Sequence, residues 1–171
     1  MGQRYLIPNS AMPTTAAPVK QPTGTAIRTM LQLATSSGNP IKIQEWGISF
    51  DGTTAATPIQ CELIDTATVA ATMSTAHVAA NIMQLDTVSD GGASTLSLGA
   101  TNLTGFATGA VTEGTITSTR VFDMQQVPPT SGYVKQFPLG LEPLVPGGRF
   151  LRVRVTAGTS VNAYIYVIVS D

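Results

Sequence analysis

The sequence predicts an all-β protein, a β-sandwich or jelly roll of about eight strands over residues 25–171, behind an extended N-terminal arm at residues 1–24. Three observations carry this reading. Apolar residues recur with a period of two in short stretches along the chain. Turn signals built from Gly, Pro, Asn and Asp separate those stretches. No βαβ crossover pattern competes with them.

In residues 1–24, Pro8, Pro13, Pro18 and Pro22 recur among Thr and Ala. Each proline removes a backbone donor and favours extended conformation, so regular ladder pairing is not expected there. Fully extended, such an arm reaches on the order of 80 Å. The remaining domain has a radius of gyration of roughly 15 Å, so the arm can cross to a neighbouring subunit or lie back on its own domain.

The first strand falls at residues 25–35, TAIRTMLQLAT, with Ile27, Leu31 and Leu33 in one phase. Residues 36–40 turn the chain into IKIQEWGISFDG, the centre of the pattern. There Ile41 and Ile43 share a face, whereas Trp46, Ile48 and Phe50 are apolar at even positions. The apolar side therefore swaps between Gln44 and Trp46, next to Gly47, which marks one strand bent by a β-bulge. Asp51 and Gly52 end it in a turn. A third strand at 59–65 alternates Ile59, Cys61 and Leu63 with Gln60 and Glu62.

Residues 66–81 lack both strand alternation and an N-cap pattern, and read as a long inter-strand excursion with at most one helical turn. His77, the only histidine, lies in it as an ordinary loop residue. Residues 86–93, DTVSDGGA, lack the spaced acidic ligands of a calcium loop, and Asp90, Gly91 and Gly92 read as a turn. Residues 96–112 read as a weak, Gly-interrupted strand pair, and 116–123 and 133–139 as further strands. The end reads as a hairpin: FLRVRVT at 150–156 sets Leu151, Val153 and Val155 inward and Arg152 and Arg154 outward. Residues 161–169 return with Val161, Ala163, Ile165, Val167 and Val169 on one face and Tyr164, Tyr166 and Ile168 on the other. Both faces of that last strand are apolar, so each is covered, by its own domain or by a neighbour.

At 171 residues the chain is one domain by length, large enough to bury roughly 70% of its unfolded surface. Charged residues make up 11%, against about 25% in ordinary soluble domains. A polar, weakly charged surface suits a protein that meets other proteins over much of its area. The net charge of −1 and the scattered basic residues give no stripe for a phosphate backbone, so no nucleic-acid partner is expected. The lone Cys61 excludes an internal disulfide and a Cys-based zinc site. The start, MGQRYLIPNSAMP, has no signal-peptide run, and nowhere do about 18 apolar residues run together, so a cytoplasmic origin and no membrane partner are expected.

No enzyme is expected either. The chain has no GxSxG elbow, no HExxH, no phosphate-cradling Gly loop and no second histidine. Glu45, Glu62, Asp65, Glu113 and Asp123 are the carboxylates that folding would have to pair for glycosidase-type chemistry, and nothing marks them out. No cofactor or metal is called for. Arg152 and Arg154, two apart on one strand face, suit a carboxylate-bearing partner.

Several stretches taken together, TAIRTMLQLAT at 25–35, EWGISFDG at 45–52, TRVFD at 119–123, YVKQFPLG at 133–140 and FLRVRVTA at 150–157, resemble the capsid decoration, or cement, proteins of tailed bacteriophages. The resemblance implies a β-sandwich bound outside an icosahedral head as a homotrimer, with the major capsid protein as partner and the virion exterior as location. The arm would then be the tether, dispensable for folding and needed for binding heads. The expected capsid and subunit interface is Arg4, Tyr5, Leu6 and Ile7 in the arm, with Arg152, Arg154, Tyr164 and Tyr166 on the last two strands. The alternatives are a tail or fibre component that binds a host glycan, with Trp46 as a reporter, and a minor tail-tube or head-completion protein.

Overall fold

In a computed structural model, which describes residues 2–12, 15–86 and 94–171, the chain passes back and forth between two antiparallel sheets of a β-sandwich. The turn expected at 90–92 lies outside the described residues. The strands are β1 (Arg4–Pro8), β2 (Gln21–Pro22), β3 (Ile27–Ala34), β4 (Ile41–Phe50), β5 (Ile59–Asp65), β6 (Thr75–Ala76) and β7 (Met83–Gln84). They continue with β8 (Gly105–Phe106), β9 (Arg120–Val127), β10 (Gly132–Gln136), β11 (Leu144–Val145), β12 (Phe150–Thr156) and β13 (Asn162–Ser170). The front sheet has the order β10-β4-β13-β1-β7, with β11 also on β4 and β2 also on β13. The back sheet has the order β6-β8-β3-β12-β5-β9.

The bend in β4 is where the sequence places it. Ile168 of β13 faces Glu45 and Val169 faces Ile43, so Gln44 is an extra residue on β4. Ile41 and Ile43 before this bulge, and Trp46, Ile48 and Phe50 after it, are all buried between the sheets. Without the bulge, one of the two groups would face solvent. Gly47 has a separate reason to be small: a Cβ there would lie 2.4 Å from Cε1 of Tyr166, whose ring covers the position. A second bulge falls in β3, where Val153 faces Leu31 and Arg154 faces Thr29, leaving Met30 as the extra residue. It throws Ile27 out of phase with Leu31 and Leu33, and Ile27 is half exposed while they are buried.

Two further expectations are corrected. The stretches 150–156 and 161–169 are strands but not a hairpin: β12 lies in the back sheet between β3 and β5, and β13 in the front sheet between β4 and β1. The turn between them carries the chain across the core. The inward alternation of β13 holds all the same, with Ala163, Ile165, Val167 and Val169 buried. The arm is likewise built into the front sheet over part of its length. Arg4–Pro8 pairs with β13 from Ser170 to Tyr166 and with Gln84 and Met83 on its other edge. Its prolines obstruct nothing, because Pro8 ends β1 and Pro22 lies in a two-residue strand.

The described residues of 66–119 have little regular structure, and Val69, Ala71, Leu103 and Glu113 lie over the outside of the back sheet. The expected excursion contains β6 and one 3₁₀ turn, Ala79–Asn81. The strand pair expected at 96–112 reduces to β8 and single bridges at Thr35–Leu96 and Thr72–Thr112, and the next strand starts only at Arg120.

Because β1 lies inside a sheet, removing residues 1–10 bares one side of β13 and takes Tyr5 and Ile7 out of the core. We expect the truncated chain to lose cooperative unfolding, read by Trp46 fluorescence in urea. A cooperative transition with an unchanged midpoint would show that β1 is a dispensable tether.

Candidate functional site

The eight side chains expected at an interface divide into three groups. Tyr5 and Ile7 alternate inward from β1 and are buried, Tyr5 donating its hydroxyl to Gln3 Oε1 at 2.6 Å. Arg152 is buried as well, although its strand alternation points it away from the sandwich core, because Val69 and Glu113 close over it. These three cannot meet a partner without unfolding their surroundings. Arg4, Leu6 and Arg154 are at least partly exposed, but the two arginines are engaged. Arg4 bonds Asp86 through its backbone N–H and guanidinium, and Arg154 pairs with Glu62 at 2.8 Å. Tyr164 and Tyr166 stand on the outer face of the front sheet, as expected.

Arg152 shows what a buried guanidinium does here. It donates to the carbonyls of Glu113 and Val69 and reaches Glu113 Oε2 at 3.3 Å. Glu113 in turn accepts from the Thr29 backbone N–H at 2.5 Å and the Thr29 hydroxyl at 2.6 Å. Beside it, Gln32 accepts from Ala71 N–H at 2.7 Å and donates to Leu103 O at 2.7 Å. Both residues sit where alternation directs a side chain out of the sheet, and both are spent on fixing the cover.

The five carboxylates considered for catalysis are all occupied. Besides Glu62 and Glu113, Asp65 is buried and accepts from Arg120 and Arg149, each at 2.9 Å through Nε. Burial works against its ionisation, but the two guanidiniums prevail and hold its pKa below the ordinary carboxylate range. Asp123 accepts from Trp46 Nε1 at 3.1 Å and from the Tyr133 hydroxyl at 2.8 Å, and burial with this carboxylate pushes the Tyr133 phenol up to about 12. Glu45 accepts from the Tyr166 hydroxyl at 2.5 Å. Trp46 is fully buried, edge-on to Tyr133, and offers no ring to a sugar. Among the described residues no group of three His, Cys, Asp or Glu side chains could hold a metal, and no helix is long and apolar enough to cross a membrane.

His77 is a buried clamp, not an ordinary loop residue. Its Nε2 lies 2.8 Å from Pro8 O, and its ring tilts against Phe106 at 4.9 Å. A carbonyl only accepts, so Nε2 carries the proton and Nδ1, which has no partner among the described residues, is bare. Burial lowers the pKa to about 4.

The surface is left with little free charge and several apolar side chains. Among the described residues, six of the nine basic side chains pair with carboxylates of the same chain. Exposed Val121, Met124, Val134, Leu139, Leu141 and Leu144 all come from β9, β10, β11 and the connection between the last two, along the flank where both sheets have an open edge. Sequence reasoning missed this flank, although the PLGL string at 138–141 carries a turn signal between two leucines. Next to it, a shallow trough of about 330 Å³ crosses the front sheet between Val134 and the two tyrosines. Comparison with family models, with curated proteins and with solved structures returned no match.

Two outcomes are expected. Arg152→Met, which leaves Glu113 without its cation, should cost about 3–5 kcal/mol in urea unfolding; a loss under about 1 kcal/mol would mean that apolar packing holds the cover. For His77, the unfolded state takes up a proton below about pH 6.5 and the folded state only near pH 4, so its stabilisation is complete above pH 6.5 and lost as pH falls. The chain should lose about 2 kcal/mol between pH 7 and pH 5, and His77→Gln should flatten that slope. An unchanged slope in the variant would assign it to other groups.

Proposed function

We propose that this chain is a structural virion protein that decorates and stabilises the outside of a phage capsid by binding the major capsid protein, acting as a homotrimer, and that its sandwich is a jelly roll. The strand order supports the fold reading. Of the eight strands of five residues or more, four run β10-β4-β13-β1 in the front sheet and four run β3-β12-β5-β9 in the back sheet. Such an order supports two Greek keys wrapped around one core.

One observation carries the functional reading: an apolar flank on a surface whose charges are largely neutralised within the chain. Solvent alone does not favour such a flank, and contact with protein does. Low net charge suits dense packing of copies on a lattice. Each copy clamps neighbouring shell subunits, burial contributes about 25 cal/mol per Å² of apolar surface, and the effect accumulates over many sites. The strings that resemble decoration proteins fall on β3, β4, β9, β10 and β12, the frame of the sandwich.

A cryo-EM reconstruction of particles carrying this protein tests the proposal. We expect density of this shape at threefold or quasi-threefold positions of the head. Density confined to the tail would overturn it in favour of a tail or fibre role.

A further inference from the structure

The two sheets end differently on their two sides. On one side the last strands are β6 and β7, two residues each, too short to template a partner strand. On the other side they are β9 with eight residues and β10 with five, and Val121, Met124 and Val134 on them are exposed. A long, unpaired edge with apolar side chains is where copies of a chain add strand to strand. The backbone groups that would accept such a strand are present on β10. Phe50 N–H donates to Ser131 O and Phe137 N–H to Gln44 O, so from 131 to 137 the odd-numbered residues bond β4. By the alternation of an antiparallel ladder, the N–H and C=O groups of Gly132, Val134 and Gln136 point away from the sheet.

The side chain of Lys135 stands against pairing there. Lys135 faces Trp46 across the ladder, and Trp46 is fully buried, so the lysine points to the inner side of the sandwich. Its ammonium lies 6.0 Å from the centre of the Phe137 ring. Among the described residues it has no carboxylate partner. While β10 is the last strand, the half-buried stem carries the ammonium past the margin of the sheet to water. A further strand on β10 would close that margin and hold an unpaired cation between the sheets, which the new ladder bonds do not offset.

On β9 the device is different. Leu63 faces Asp123 and Ile64 faces Val121, so Phe122 is an extra residue on β9. This bulge breaks the even spacing of the outward backbone groups within the strand. Asp123, next to it, turns inward opposite the buried Leu63 and accepts from the Tyr133 hydroxyl of β10 at 2.8 Å. Each edge thus carries an inward charge at the open mouth of the sandwich. We infer that both long edges are closed to strand pairing, β10 by the inward ammonium of Lys135 and β9 by the bulge at Phe122 with Asp123. On this flank the chain then meets other molecules through side chains and not by extending a sheet. This holds whether or not the chain decorates a head.

The test is amide hydrogen exchange of the full chain by NMR at two protein concentrations, with sedimentation velocity on the same samples. Lys135→Val and Lys135→Thr remove the charge and leave a β-branched side chain that suits a strand. Lys135→Glu keeps a charge in the same place. Thermal midpoints check folding, and the second neutral variant decides if the first does not fold. In the parent chain, exchange in β9 and at Val134 and Gln136 should not depend on concentration. Both neutral variants should exchange about tenfold more slowly at Val134 and Gln136 when concentrated, with a matching rise in sedimentation coefficient. Lys135→Glu should behave as the parent. Protection that grows with concentration in the parent, in β9 or at Val134 and Gln136, would show an edge already paired and overturn the closure. Neutral variants that match the parent, or a Lys135→Glu chain that associates as they do, would equally overturn it, because the charge would not be what closes β10.

Discussion

The buried Arg152 guanidinium is the constraint on which the outer half of the molecule depends. The back sheet has an apolar inner face, as any sandwich does, but its outer face is covered around Val69, Ala71, Leu103 and Glu113 by chain that makes almost no ladder of its own. Such a cover has to satisfy its backbone polar groups by other means. Arg152 and Gln32 supply them, one through Val69 and Glu113, the other through Ala71 and Leu103. Both residues belong to central strands of the sheet, so their side chains start from a fixed frame. The cover is therefore held from beneath, at points set by the strand register, and the register is set in turn by the bulge at Met30.

What was legible in the sequence follows from the same division. Inside the sandwich, each strand writes its burial as alternation, and the phase change at Gln44 could be read as a bulge because both halves of β4 feed one core. The cover leaves no such trace, since side-chain-to-backbone bonds have no period. For the same reason Arg152 looked like an outward residue free for a partner, and His77 looked like a loop residue. The arm was misread because proline content reports lost donors, and β1 has its prolines only at its end. The hairpin was misread because a turn signal between two strands fixes only that the chain reverses. Whether it reverses within a sheet or across the core depends on which strands the rest of the chain has placed beside them.

The front sheet and its open flank form the more available surface. Its charges are mostly satisfied within the chain, and its aromatic hydroxyls are engaged. What it presents outward is shape: a trough lined by Gly132, Val134, Tyr164 and Tyr166, and a turn held by a glycine and a carboxylate. The interface residues expected from sequence were chosen for chemistry, arginines and tyrosines, and three of the eight are spent on internal stability. Those that define the surface are plain leucines and valines, which a single sequence cannot separate from core.

The position of β13 sets the order in which the molecule can be made. It is the last strand, yet it lies in the middle of the front sheet, between β1 near the start of the chain and β4. On the ribosome, β1 and β4 emerge with nothing between them, and their apolar sides stay unpaired until β13 follows. Contacts that distant in sequence make folding slow compared with that of a hairpin-built protein. A chain that stops short of β13 thus lacks the centre of its own front sheet.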